Sequence, residues 1–258
     1  MNTLVRDTGT VFVRAMRTSL RNPAWLVISL MQPVLYIVLF GPLLEPIAGQ
    51  LGGANAYQVF VPGILVQLGL FGTAFVGFSL IAEYRAGVIE SQRVSPAPRA
   101  ALLLGRVLRD VLVLAVQGVV LVLVAVPFGL DASVGGVVLT IVLVAVLGGS
   151  LAAVSYALAL TLKSEDAFAP LLNVVLFPIL LLSGILLPMT LAPGWLQAVS
   201  DVVPFSHIVD GARALFAGDF GAPDVGWGVL FTVLLAGLGA WYGDVPVPQG
   251  ERLNNSSG

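Results

Sequence analysis

Lys163 is the only lysine in the chain, and it stands in Thr161-Leu162-Lys163-Ser164. A phosphate-cradling Walker loop places glycine directly before its lysine, so that backbone N–H groups and the ammonium reach the same phosphates. Leu162 occupies that position here, so the chain has no P-loop of the usual form and is not expected to hydrolyse ATP. His207 is the only histidine and cysteine is absent. Disulfides and thiolate metal sites are therefore excluded, and a histidine-based metal centre is disfavoured. A serine hydrolase needs a nucleophile, a base and oxyanion donors. Ser183 precedes Gly184, but Leu181 stands where a Gly-x-Ser-Gly motif needs its first glycine. No catalytic set, cofactor site, metal site or nucleic-acid partner is expected.

With chemistry so sparse, the elements themselves carry the reading. Of 258 residues, 58% are hydrophobic and only 10% charged, with mean hydropathy +0.99. Soluble domains carry about 25% charged residues, so the natural solvent for this chain is a bilayer. Six uncharged apolar runs are read as spans: Ala24–Leu44, Val59–Ala82, Val111–Phe128, Val134–Leu162, Ala167–Leu187 and Val225–Gly243. Each is about long enough to cross a ~30 Å hydrocarbon core. The fourth is longer than needed and can tilt. Pro33, Pro62 and Pro178 fall inside spans, where neighbouring helices re-satisfy the freed backbone. Gly148 and Gly149 permit close helix approach. The runs hold no charged residue, which disfavours a proton-driven carrier and excludes a voltage sensor. Carriers with sites built from carbonyls stay open.

The flanks set the topology. In Met1–Asn22, Arg6, Arg14, Arg17 and Arg21 share one helical face, and Val5, Phe12, Met16 and Leu20 fall on another. That pattern predicts an amphipathic helix lying in the membrane interface rather than a signal peptide. Eleven of the twelve basic residues fall on one side of a six-span arrangement, and Arg213 alone falls on the other. Basic loops stay inside, so both termini are expected in the cytoplasm. Glu45, Asp131, Asp201, Asp210, Asp219 and Asp224 then face outside. Two connections are too long to be turns: cytoplasmic Glu83–Arg109 and outer Pro188–Asp224. Residues 1–243 read as one transmembrane domain, with a polar tail at 244–258. The bias to arginine, alanine, glycine and valine suggests a GC-rich bacterial gene, and hence the bacterial plasma membrane.

Two stretches carry a family resemblance. Glu83-Tyr84-Arg85-Ala86-Gly87-Val88-Ile89-Glu90 opens the cytoplasmic connection, which continues through Arg93, Ser95-Pro96-Ala97-Pro98-Arg99 and Gly105-Arg106. Late in the chain come Phe177-Pro178, Leu182-Ser183-Gly184, Leu187-Pro188-Met189 and Pro193-Gly194-Trp195-Leu196. Pro204-Phe205-Ser206-His207, Asp210-Gly211-Ala212-Arg213 and Leu215-Phe216-Ala217-Gly218 then follow. Together they resemble the membrane permease of type-2 ABC exporters, in particular the daunorubicin-resistance permease branch.

The resemblance implies an all-α membrane protein. It has six transmembrane helices, an N-terminal interfacial helix, a cytoplasmic coupling helix at Glu83–Val94 and an outer re-entrant hairpin between spans five and six. Glu83, Arg85, Gly87, Glu90 and Arg93 would meet a separate ATPase subunit, which binds ATP and Mg. Ser95-Pro96 would stop that helix, because proline disfavours helix in the residue before it. A second permease protomer, identical or related, would complete the pathway. In this family the first, second and fifth spans line it, which makes Gln32, Tyr36, Gln67, Phe71 and Asn173 candidates; each also reads as interhelical glue worth about 1 kcal/mol. In the outer hairpin Trp195 suits an interfacial depth, and Asp210 and Arg213 can pair at i,i+3. His207 is read as a capping or packing group ahead of a substrate contact. Arg106 and Asp110, at i,i+4, can pair at the base of span three. The function implied is outward movement of an amphipathic drug, lipid or lipid-linked glycan. The alternatives are a secondary carrier or a non-transporting membrane scaffold.

Overall fold

The computed structural model describes residues 2–21, 23–51, 55–87 and 98–243, and among these the chain is all helix and turn. An amphipathic helix, Asn2–Arg21, leads into six helices long and apolar enough to cross a membrane. The first span is Pro23–Leu44. The second is made of two pieces, Ala56–Ala74 and Gly77–Arg85. The third is Arg99–Ala125, the fourth Val134–Leu162, the fifth Glu165–Leu182 and the sixth Pro223–Gly243. Between the last two lie short helices at Gly194–Ser200 and Pro204–Phe216.

Three expected boundaries are corrected. The third helix begins at Arg99, not Val111, so Arg106, Arg109 and Asp110 lie on it rather than in a loop. Charged residues do not stop a helix from extending past an apolar run. The fifth helix ends at Leu182, not Leu187, because Gly184 takes φ 68° and turns the chain while the sequence is still apolar. The helix predicted from Glu83 does not start there. Glu83 and Arg85 close the second span, and Gly87 at φ 71° follows. Glu90, Arg93 and the remainder of residues 88–97 lie outside the described residues.

The second and fourth spans form the centre and are the most buried; the other four expose large apolar side chains such as Leu39, Leu123, Val174 and Leu234. Lipid replaces water around such residues, so their exposure carries no hydrophobic cost. Gly69 meets Val144, Thr73 meets Gly148 and Gly77 meets Ser155, so the central spans run side by side in one direction. Small residues permit this approach. Ile37, Phe60, Ile64, Leu147 and Phe168 fill the core between them and their neighbours. The helix Pro204–Phe216 packs against the second, fourth and sixth spans. It buries Phe205, Ile208, Val209, Ala212, Leu215 and Phe216 there. Gly136 of the fourth span touches the Leu215 carbonyl so closely that any side chain at 136 would overlap backbone.

Candidate functional site

The second span breaks at Phe75–Val76, and the fourth span repairs the break. Phe78 N–H bonds back to Phe75 O, leaving the Ala74 carbonyl without its usual helical donor. The Ser155 hydroxyl donates to that carbonyl at 2.5 Å and accepts from Gly77 N–H at 3.0 Å. A buried backbone group must find a partner in so apolar a place. A Cβ at Gly77 would come within 2.6 Å of Phe168 and 2.8 Å of the Ser155 oxygens. The piece Gly77–Arg85 of the second span thus starts afresh after the break, joined to the fourth span by the Ser155 bridge as well as by packing.

Below the break, that piece carries the charges nearest the undescribed segment. Arg106 of the third helix donates to Glu83 at 2.6 Å. The two stems that bracket residues 88–97 are therefore tied to each other. Arg85 reaches Glu165 of the fifth helix at 3.4 Å, with both side chains about half exposed. Such a pair contributes under about 1 kcal/mol. Lys163, at the end of the fourth helix, lies 5.3 Å from the centre of the Tyr84 ring. The expected Arg106–Asp110 pair is replaced: Arg106 takes Glu83, and Asp110 takes other partners. The reason is placement, since Glu83 stands opposite Arg106 across the stems.

Those other partners form a second, buried cluster. Tyr156 donates to Asp110 at 2.6 Å. Arg109 lies with Nε 3.0 Å from Asp110, without hydrogen-bond alignment, and donates to Tyr156 Oη at 3.2 Å and Ser19 Oγ at 3.0 Å. The Asp110 side chain is 5% exposed. One arginine thus joins the N-terminal helix, the third and the fourth. Nothing in the residue spacing indicated this: Ser19, Arg109 and Tyr156 come from elements far apart in the chain.

Of the five candidate path residues, Gln32 and Tyr36 share a face of the first span and bond at 3.2 Å. Tyr36 also packs edge-on to Phe40, and Phe40 stacks on Phe60 of the second span. Phe71 meets Phe177 of the fifth span edge-on at 6.4 Å. Asn173 is exposed one turn from Phe177. Gln67 stands apart, 3% exposed, with Oε1 lacking a hydrogen-bond donor among the described residues. The result is a partly open aromatic face on the first, second and fifth spans, continued inward by Phe75, Phe78 and Phe168.

At the opposite end of the bundle Arg213 is the organising residue. It donates to Gly184 O at 2.6 Å, to Val59 O at 3.1 Å and to Asp210 at 3.1 Å. Burial pushes Arg213 below the usual guanidinium value, and the Asp210 carboxylate pulls it back up. His207 stacks on Phe231 at 4.9 Å and lies near Trp227, both on the sixth span, with its ring 3.0 Å from Asp201 O. Those contacts make it a packing residue. Trp195 is 70% exposed. Ser200 donates to Leu182 O at 2.6 Å, which fastens the hairpin to the fifth span. Among the described residues no group of His, Asp and Glu is placed to hold a metal.

A profile described as ABC-2 type transporter matches residues 6–217. This match runs from the amphipathic helix through the outer hairpin. The chain belongs to the ABC-2 type transporter family. The daunorubicin resistance ABC transporter permease protein DrrB1 of Streptomyces coeruleorubidus is 31% identical over 87% of this chain and 80% of its own length. The inner membrane transport permease YadH of Escherichia coli K12 is 29% identical, covering 81% of this chain and 80% of the relative. The putative transport permease ycf38 of Pyropia yezoensis is 25% identical, covering 84% and 76%. This ABC-2 chain is therefore a multi-pass membrane protein and the transport permease of an ABC transporter. It is not itself an enzyme, and nucleotide binding falls to a partner ATPase.

Proposed function

We propose that this permease works as a pair of protomers, identical or related, with two ATPase subunits, and exports an amphipathic drug, lipid or lipid-linked glycan across a bacterial plasma membrane. The Glu83–Arg106 tie across the two stems is the observation that carries the mechanism. A segment held between cross-linked stems moves the second and third helices together. Residues 88–97, with Glu90 and Arg93, are the ATPase contact, and Glu83, Arg85 and Gly87 form its base. Coupling requires that this contact differ between the ATPase states, since equal contacts shift no equilibrium. The aromatic face bearing Tyr36 and Phe71, with Gln32 and Asn173 beside it, supports an amphipathic cargo. So does similarity to a permease named for daunorubicin resistance. Gln67 is assigned to the path only in a state that opens the second span. The amphipathic helix lies in the inner interface, both termini are cytoplasmic, and the hairpin Pro188–Asp224 dips into the outer leaflet.

The eleven-to-one split of basic residues supports this topology, and the cysteine-free chain makes it testable. An impermeant thiol reagent on intact cells should label Gly221→Cys and spare Ser91→Cys. Gly221 suits the test because it is exposed with room for a side chain, whereas Gly218 is at φ 82°. The reverse labelling would refute the orientation.

Coupling is tested at Glu90. Glu90→Lys should leave insertion intact and reduce ATPase copurification by about fivefold or more if the carboxylate is desolvated in the contact, and by less than that if it sits on the rim. Asp131→Lys, in an exposed outer loop, is the control. Glu45 does not serve, because its carboxylate accepts from Ala56 N–H at 3.3 Å. Copurification unchanged in Glu90→Lys and in a combined Glu83, Arg85 and Arg93 replacement would discard the coupling role.

A further inference from the structure

The helix Asn2–Arg21 has three faces, not two. Leu4, Thr8, Val11, Phe12, Ala15 and Ser19 are partly covered, and the third helix is what covers them: Gly105 stands against Val11 and Phe12, and Arg109 holds Ser19. Phe12, read from the sequence as part of the membrane face, belongs to this packed side. A second strip carries Val5, Val13 and Leu20, which are 70%, 45% and 64% exposed. Beside it Arg6, Arg14, Arg17 and Arg21 form one exposed basic stripe with Gly9, Thr10 and Thr18. Arg6 lies 3.7 Å from Asp7. Arg14, Arg17 and Arg21 have no ion pair among the described residues. Thr10 and Thr18 donate to the Arg6 and Arg14 carbonyls of their own helix.

We propose that this stripe binds the headgroups of anionic phospholipids in the inner leaflet. The inference rests on the interfacial placement of the helix given above. The exposed apolar strip chooses the occupant. A soluble partner would have to cover separate valine and leucine side chains, whereas a bilayer takes them up as acyl-chain contacts while its phosphates meet the adjoining arginines. Guanidinium groups favour phosphate because they bind it in a two-pronged way. Since Arg109 clamps the same helix to the third and fourth spans, bound lipid bears on the inner ends of the bundle.

The test uses the full chain with its ATPase in nanodiscs of equal phosphatidylcholine and phosphatidylglycerol. Lipid retained on the purified complex is counted by mass spectrometry. The unmodified protein should retain phosphatidylglycerol over phosphatidylcholine by about fivefold, the effect of one basic residue near an anionic surface, or more. The triple variant Arg14→Gln, Arg17→Gln, Arg21→Gln should lose the preference, and the matching triple lysine variant should keep most of it. Equal retention by the unmodified protein, or a preference untouched in the glutamine variant, would overturn the proposal. Loss of the ATPase with lipid retention unchanged would also overturn it and assign the stripe to the ATPase. A bimane label on Val13→Cys separates the two levels of the argument. Quenching by brominated phosphatidylcholine without any headgroup preference sinks the lipid site alone; no quenching sinks the interfacial placement.

Discussion

Arg213→Ala should destabilise the protein by about 2–4 kcal/mol, most of it from bonds to backbone carbonyls. Its guanidinium satisfies the Val59 and Gly184 carbonyls, which belong to buried residues of the second span and the turn after the fifth. Without it the Gly184 carbonyl loses its donor, at about 1–3 kcal/mol, while the Val59 carbonyl, inside the helix Ala56–Ala74, loses a second bond worth about 1 kcal/mol. Asp210 contributes less to the loss, because its side chain is half exposed and regains water. Lysine keeps the charge but cannot reach three acceptors with a planar fork, so Arg213→Lys should recover less than half of the loss. Thermal unfolding in detergent, followed by size-exclusion chromatography, measures both. Melting of Arg213→Ala within error of the parent would show that the hairpin does not depend on this residue.

A comparable loss is expected at the inner end from Arg109→Leu. That change leaves Asp110 buried with only Tyr156 as donor, and removing one partner of a buried pair costs about 3–5 kcal/mol. It also frees Ser19, so the end of the N-terminal helix should loosen from the third while Val11 and Phe12 keep their packing on Gly105. Asp110→Asn in the same chain removes the uncompensated charge and should restore most of the melting temperature. It should not restore the Ser19 contact. A cross-link between cysteines placed across the two helices near the Gly105–Phe12 contact then reports docking apart from stability. Full stability in Arg109→Leu alone would contradict the clamp.

How much of this was legible beforehand differs between elements for physical reasons. The fourth span was read to the residue, because Ser133 accepts from Gly136 N–H to begin it and Lys163 at φ 53° ends it at the limits of one uncharged run. The fifth was read too long: apolarity continues through Gly184 and Ile185, and hydropathy does not register a turn. The third helix begins twelve residues before its apolar run, since a helix carries arginines well beyond the end of such a run. Asp210–Arg213 pairs as its i,i+3 spacing allows. The two backbone acceptors of Arg213 were hidden, because a carbonyl leaves no trace in residue type. The Ser155 bridge was hidden for the same reason. The coupling segment itself lies mostly in residues 88–97, so its role rests on the stems and the family.

An ABC-2 permease without a P-loop should draw its energy through those stems from a separate ATPase. The most direct test is to purify the chain together with its partner ATPase and to measure complex mass and Mg-ATP hydrolysis in one preparation. The account predicts an assembly of two permeases and two ATPase subunits whose hydrolysis changes when the permease carries Glu90→Lys. A solitary chain that moves cargo in sealed vesicles without ATP would contradict it.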